Sequence, residues 1–260
     1  MSSIGKLYTL NAERGTRTHD FTVSYPDAHV LSQKVDWGIA LVDAGIYYSF
    51  FNISASQNNN VLKYSSDDGA TWTTVTIPDG NYNVSGDESI NSYLQSVLFA
   101  NNQYSIVDNV TTYPINIIGN LNTLRCDISL SAHYQLDLTA SDIYSILGFA
   151  SKIVTSSESG YTNADIWSGT TNLVIHCNLV GDTWNNNMPS TTLYTFIPDV
   201  DAGSLISITP YERIYVPVST STIKEIHIWI TDQKGRVIDL NKEPINITIH
   251  LKPFAKLNDN

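Results

Sequence analysis

The sequence predicts an all-β protein, a jelly-roll β-sandwich with one or two short helices inserted in its loops, on three observations. Period-2 alternation of apolar and polar residues recurs along the chain, while helical periodicity appears only briefly. Strand-like runs return at intervals of about 8–15 residues, with Gly, Pro and Asn between them. And 260 residues with 42% hydrophobic and 10% aromatic content suffice for a core that needs no disulfide or metal staple.

Residues 1–17 read as an N-terminal arm ahead of one jelly-roll domain over 18–260, because no repeat, low-complexity tract or linker divides the remainder. Strands are expected over Lys34 to Asp43, Ile46 to Ile53, Thr73 to Ile77, Leu124 to Leu130 and Leu173 to Val180. Ile90, Tyr93, Leu94, Val97 and Leu98 recur at helical spacing, and Ser85 with Glu88 three residues on has the form of a capping box. A shorter helix is expected from Ser141 to Leu147, ended by Gly148 in the left-handed conformation. The polar stretches 151–172 and 181–192 read as long loops, mobile or ordered by a neighbour.

Near the C-terminus Ile226, Ile228 and Ile230 alternate with His227, Trp229 and Thr231. Ile245, Ile247, Ile249 and Leu251 then alternate with Asn246, Thr248 and His250. The two runs are expected to pair in one sheet, with Asp232-Gln233-Lys234-Gly235 as a type I turn after the first. Trp229 is expected in a core or interface, so that its truncation would cost about 3–5 kcal/mol.

Charge narrows the function. Fourteen Lys+Arg against 25 Asp+Glu give a net charge of −11, which repels phosphate backbones unless the cations cluster. The densest cationic group is Arg14, Arg17 and His19, so any nucleic-acid contact is expected through the N-terminal arm. No apolar run reaches the roughly 20 residues that span a bilayer, and the start shows no secretory h-region. The sequons at Asn52, Asn83, Asn109 and Asn246 are therefore expected to be idle, and Cys126 and Cys177 to be buried free thiols. Only 15% of residues are charged; Ser, Thr and Asn fill the gap, which suits dense packing against neighbours.

The sharpest motif is Ser65-Ser66-Asp67-Asp68-Gly69-Ala70-Thr71-Trp72, the letters of an Asp box. It describes a tight hairpin turn: Asp67 accepts from turn amides, Gly69 takes positive φ and Trp72 folds back as a plug. It occurs once, where a propeller would repeat it. No two glycines lie within five positions of each other, which excludes G-x-G-x-x-G, the P-loop and G-x-S-x-G. His19, His29, His133, His176, His227 and His250 show no local metal-ligand spacing. The carboxylate pairs Asp67/Asp68, Asp87/Glu88 and Asp199/Asp201 read as a turn, a helix start and a loop. No catalytic residue, metal or cofactor is predicted, and the protein is not expected to be an enzyme.

The ordered set of segments resembles the penton-type minor capsid proteins of polinton, adintovirus and virophage-like double-stranded DNA viruses. The residues that carry it are Tyr47-Tyr48-Ser49-Phe50-Phe51-Asn52-Ile53-Ser54, the Lys63 to Trp72 hairpin, Ile77-Pro78-Asp79-Gly80-Asn81-Tyr82 and the helix Ile90 to Ala100. They continue with Leu147-Gly148-Phe149, Leu173 to Val180, Ile208-Thr209-Pro210, Tyr215-Val216-Pro217-Val218 and the ending Ile228 to Asn241. The resemblance implies a jelly-roll subunit of the virion that forms homopentamers at icosahedral five-fold vertices. It further implies neighbours that are trimers of a double-jelly-roll major capsid protein, and in some members a vertex fibre or spike. Two readings compete with it: a carbohydrate-binding β-sandwich, suggested by the Asp box and long polar loops, and a sialidase-like hydrolase. The last needs an arginine cluster, and Arg14, Arg17, Arg125, Arg213 and Arg236 are scattered.

Overall fold

The computed structural model describes residues 5–15, 17–165, 170–181, 183–185 and 188–255. Three strands come first: β1 (Lys6–Ala12), β2 (Asp20–Val30) and β3 (Asp36–Tyr47). A central stretch then holds β4 (Val61–Ser65), β5 (Thr73–Thr76), helix α1 (Ile90–Ala100), β6 (Ser105–Val107), β7 (Val110–Thr112), β8 (Ile115–Asn120) and β9 (Arg125–Leu130). It ends with β10 (Gln135–Asp137), the short helix α2 (Ile143–Ile146), β11 (Ile153–Val154) and β12 (Glu158–Ser159). The rest supplies β13 (Leu173–Cys177), β14 (Thr183–Asn185), β15 (Met188–Ser190), β16 (Thr192–Phe196), β17 (Leu205–Ile208), β18 (Val216–Pro217), β19 (Thr222–Asp232) and β20 (Ile245–Phe254).

The chain divides into two compact units, one of Met1–Phe50 with Thr170–Asn260 and the other of Phe51–Gly169. The single domain expected over 18–260 thus carries an inserted unit that no linker composition announces. Its first junction falls inside the apolar run Tyr47 to Phe51, so neither Gly, Pro nor a charge run marks it.

In the first unit the pairing is nested. Set aside the small β14–β15 hairpin and the edge strand β18, and eight strands remain. The first pairs the last (β1 with β20), the second the seventh (β2 with β19), the third the sixth (β3 with β17) and the fourth the fifth (β13 with β16). The β20–β3 and β13–β19 pairings then close two antiparallel sheets, ordered β1-β20-β3-β17 and β16-β13-β19-β2. A long hairpin rolled up in this way is a jelly roll. One hydrophobic core takes side chains from both sheets, among them Leu10, Ile39, Ile46, Ile175, Ile228 and Ile249.

The C-terminal strands correct one expectation. β19 and β20 do not pair; they belong to opposite sheets. Ile226, Ile228 and Ile230 from one, and Ile247 and Ile249 from the other, are all fully buried in the shared core. Alternation reports that one face of a strand is buried, and a sandwich satisfies that from either sheet. The expected turn does form: Gly235 sits at φ 79 and its N–H donates to the Asp232 carbonyl at 3.0 Å. It opens the crossing between sheets where a hairpin was expected.

Two further expectations change. The strand expected over 34–43 and the start of the one expected over 46–53 form one strand, β3, that runs through Gly45 between Asn246 and Ser207 of the neighbouring strands, while residues 48–52 are not strand and Ile53 makes only an isolated bridge to Gly80. Residues Lys6–Ala12 of the expected arm are the sheet strand β1, with Tyr8, Leu10 and Ala12 buried, while residues 1–4 and 16 lie outside the described ones. Of the two expected loops, 151–172 carries β11 and β12, paired to β10 and β9, and 181–192 carries the β14–β15 hairpin. Residues 166–169, 182 and 186–187 of those loops are outside the described ones.

The second unit packs a sheet β11-β10-β4-β5, a sheet β12-β9-β8 and the two helices around its own core, which includes Leu62, Ile90, Leu94, Leu98, Ile117 and Ile128. Helix α1 starts four residues later than the expected box. Its N-cap is Ser89, whose Oγ accepts from the Ser92 N–H at 3.0 Å, while the Ser92 Oγ accepts from the Ser89 N–H at 2.8 Å. Ser85 instead accepts from the Gly119 N–H, and Glu88 takes φ 52, outside any helix. Gly148 does end the second helix, at φ 74, where a Cβ would come within 2.4 Å of the Thr162 carbonyl oxygen.

Candidate functional site

The residues singled out from the sequence occupy three separate places. The Asp-box segment is the turn of the β4–β5 hairpin. The Asp67 Oδ1 accepts from the Ser65 hydroxyl at 2.7 Å and from the Thr71 N–H at 2.8 Å, and its Oδ2 accepts from the Thr71 hydroxyl at 2.6 Å. The Thr71 and Ser65 bonds hold the carboxyl at a pKa of about 2. Gly69 stands at φ 89, and Trp72 is half-buried beside it. Both carboxylate oxygens of Asp67 are thus engaged within its own turn, which is the chemistry of a structural latch. Next to it His133 bonds Asp68 at 2.7 Å, which raises the His133 pKa.

Trp229 lies on the outer face of its sheet, half-buried, and not in the core. It stacks between two histidines, 5.1 Å from His176 and 4.7 Å from His227. His227 in turn reaches Asp20 at 2.6 Å, and His176 reaches the Thr231 hydroxyl at 2.9 Å. Burial lowers the His176 pKa. This cross-strand ladder staples β13, β19 and β2 together on the face away from the core. The remaining histidines have separate polar neighbours: His29 with Tyr8, His250 with Tyr215, and His19 within 3.5 Å of Asp239. Among the described residues no group of three or more His, Cys, Asp or Glu could hold a metal ion.

Arg14, the leading cation of the expected arm, is paired with Glu243, and Arg236 with Asp232. Residues 6–12 of the expected arm are thus held in a sheet, and Arg14 and Arg236 each stand beside a carboxylate. Cys126 and Cys177 are free and buried in different cores, and burial pushes both thiols up to about 12. No helix among the described residues is long and apolar enough to cross a membrane.

What the surface does offer is apolar area. In the first unit Val30, Ile197 and Ile214 are each about 70% exposed (68%, 69% and 71%). In the second the β6–β7 hairpin is exposed at every position, with Ile106, Val107 and Val110 outward. Its two-residue turn, Asp108 and Asn109 at φ 51 and 62, suits the twist of a tight hairpin. Sequence reasoning missed it because Ser105 to Thr112 is too short to show a period.

No protein-family model matches the chain, and no curated protein sequence does. Several solved structures share its fold, and a penton protein is among them. The particular structure is the crystal structure of the selenomethionine-labelled mavirus penton protein, similar with a TM-score of 0.51 over 97% of this chain and 100% of that one. Sequence identity is 8%, so what the two share is the fold.

Proposed function

We propose that this protein is the vertex subunit of a virophage-like double-stranded DNA virus, five copies of which close each icosahedral five-fold position. The observation that carries the reading is the nested jelly roll together with its likeness, end to end, to the mavirus penton protein. The ordered segments from Tyr47 to Asn241 support it independently of the fold. So do the low charge and the exposed apolar residues, which allow a free subunit to dissolve and then bury lateral surface. The mechanism is shape-complementary assembly with no turnover. The partners are further copies of the chain, trimers of a double-jelly-roll major capsid protein and, in some particles, a fibre or spike; the place of action is the virion vertex. Any contact with the genome through the arm falls to Arg17, since Arg14 is paired with Glu243 and β1 is part of a sheet. Deleting 1–17 would remove a buried strand, so Arg17→Glu is the cleaner probe of any DNA contact.

The test is co-expression with the major capsid protein of the same virus, followed by imaging of the particles. Density for five copies at each vertex is expected, and closed shells whose vertices lack this chain would overturn the reading. A carbohydrate-binding role is the second reading, and one groove in the inserted unit favours it.

A further inference from the structure

A groove of about 490 Å³ in the 51–169 unit is lined by Asn81, Tyr82, Glu88 and Tyr93, with Gly80 and the N-cap serines of α1 behind them. Two half-buried aromatic rings form its walls. The outer end of the Tyr82 ring closes on Gly80, where a Cβ would stand 2.9 Å from the ring and push it aside. Tyr93 is fixed from the other side, its hydroxyl donating to the Thr76 carbonyl at 3.0 Å.

The polar groups divide into used and unused. The Ser89 and Ser92 hydroxyls bond each other's backbone in the helix cap, and the Asn81 Oδ1 accepts from the Asn52 N–H at 3.2 Å. The Glu88 carboxylate, the Tyr82 hydroxyl and the Asn81 side-chain N–H groups have no protein partner among the described residues. Glu88 also holds φ 52, a left-handed backbone that a residue with a Cβ seldom adopts and that recurs at ligand clamps. No Lys, Arg or His lines the groove, and the chain carries a net charge of −11, so an anion is disfavoured there.

We propose that this groove binds a neutral pyranose unit of a glycan. Flat rings receive the apolar C–H face of a sugar, a carboxylate accepts from two vicinal hydroxyls, and a carboxamide and a phenol complete the donor and acceptor set. Acidic sugars are excluded by Glu88. The binding chemistry stands on the inserted unit alone; the vertex reading supplies only its setting, a particle that contacts a glycan-coated surface.

Saturation-transfer NMR on the full-length protein tests it, with the methyl glycosides of galactose, glucose, mannose and N-acetylglucosamine at millimolar concentration. N-acetylneuraminic acid serves as the acidic control. At least one neutral glycoside is expected to receive saturation, and the acidic sugar none. Glu88→Ala is expected to weaken binding about ten-fold or more, the scale of a hydrogen bond to a charged group. Tyr82→Ala is expected to abolish it, and Gly80→Ala, whose methyl displaces the Tyr82 ring without altering the backbone, to weaken it. Circular dichroism and solution mass are expected to stay as in the parent. No transfer to any neutral glycoside, or equal transfer in the parent and Tyr82→Ala, overturns the proposal. Loss of sugar binding with an intact pentamer refutes this inference alone, whereas sugar binding by a protein that never assembles refutes the vertex reading alone.

Discussion

Asp232 is the point at which the chain leaves one sheet of the sandwich for the other, and its removal gives a quantitative test of that crossing. The side chain is fully buried, and it accepts from the Lys234 N–H at 2.8 Å, the Arg236 N–H at 2.9 Å and the Arg236 Nε at 2.6 Å. Hydrogen bonds to a charged group contribute about 1.5–3 kcal/mol each. Lys234 and Arg236 are exposed, so water replaces part of what Asp232→Ala removes, and the net loss is about 2–4 kcal/mol. Asp232→Asn keeps an acceptor for the two N–H groups but turns an amide toward Arg236, and is expected to cost about half as much. Urea unfolding followed by tryptophan fluorescence reads both, as a midpoint lowered by about 1 M for the alanine variant. An alanine variant within about 0.5 kcal/mol of the parent, the range of an ordinary surface change, would refute the reasoning.

Four other perturbations follow from the same structure. Ile228→Ala, at a fully buried core position, is expected to cost about 2–5 kcal/mol by chemical denaturation. Trp229→Ala, on the outer face, is expected to lose only its two histidine stacks, about 1–3 kcal/mol, and a larger loss would return Trp229 to the core. Asp67 has a depressed folded pKa of about 2, so its contribution is complete above the ordinary carboxylate value of 3.8 and is lost as pH falls through about 2. Melting curves from pH 5 to pH 2 should accordingly drop less in Asp67→Asn than in the parent, and parallel curves would dissociate the latch from stability. Finally, both thiols, held at about 12 and buried, are expected to resist a disulfide reagent at pH 8 in the native protein and to react fully in denaturant; rapid native reaction would place one of them at the surface.

What could be read from the sequence was local, and what could not was the partnership between distant segments. The Asp67-Gly69-Trp72 turn and the α1 repeat Ile90, Leu94 and Leu98 depend on neighbours within a few residues, and the letters carry them. Sheet membership depends on residues far apart: Ile228 faces the core opposite strands that hold Ile247, and alternation is the same whether they pair or face each other. The inserted unit was illegible because a jelly roll admits an insertion between its third and fourth strands without any change in composition. β1 was legible and overlooked, since Tyr8, Leu10 and Ala12 already alternate. Ser85 with Glu88 copied a capping box in letters, yet Gly86 at φ 96 turns the chain, and the helix starts at Ser89. The sugar groove joins Gly80, Tyr82 and Tyr93 with Glu88 through the fold of the 80–93 segment, and no spacing rule points to such a set.

The central claim is that this jelly roll closes a five-fold vertex, and the most direct test is the mass of the purified protein by light scattering behind size exclusion across a concentration series. The account predicts a species of five times the 28.8 kDa chain, more populated as concentration rises or when the major capsid protein is added. A strict monomer throughout, unchanged by that addition, or a closed assembly of any other multiple, would contradict it.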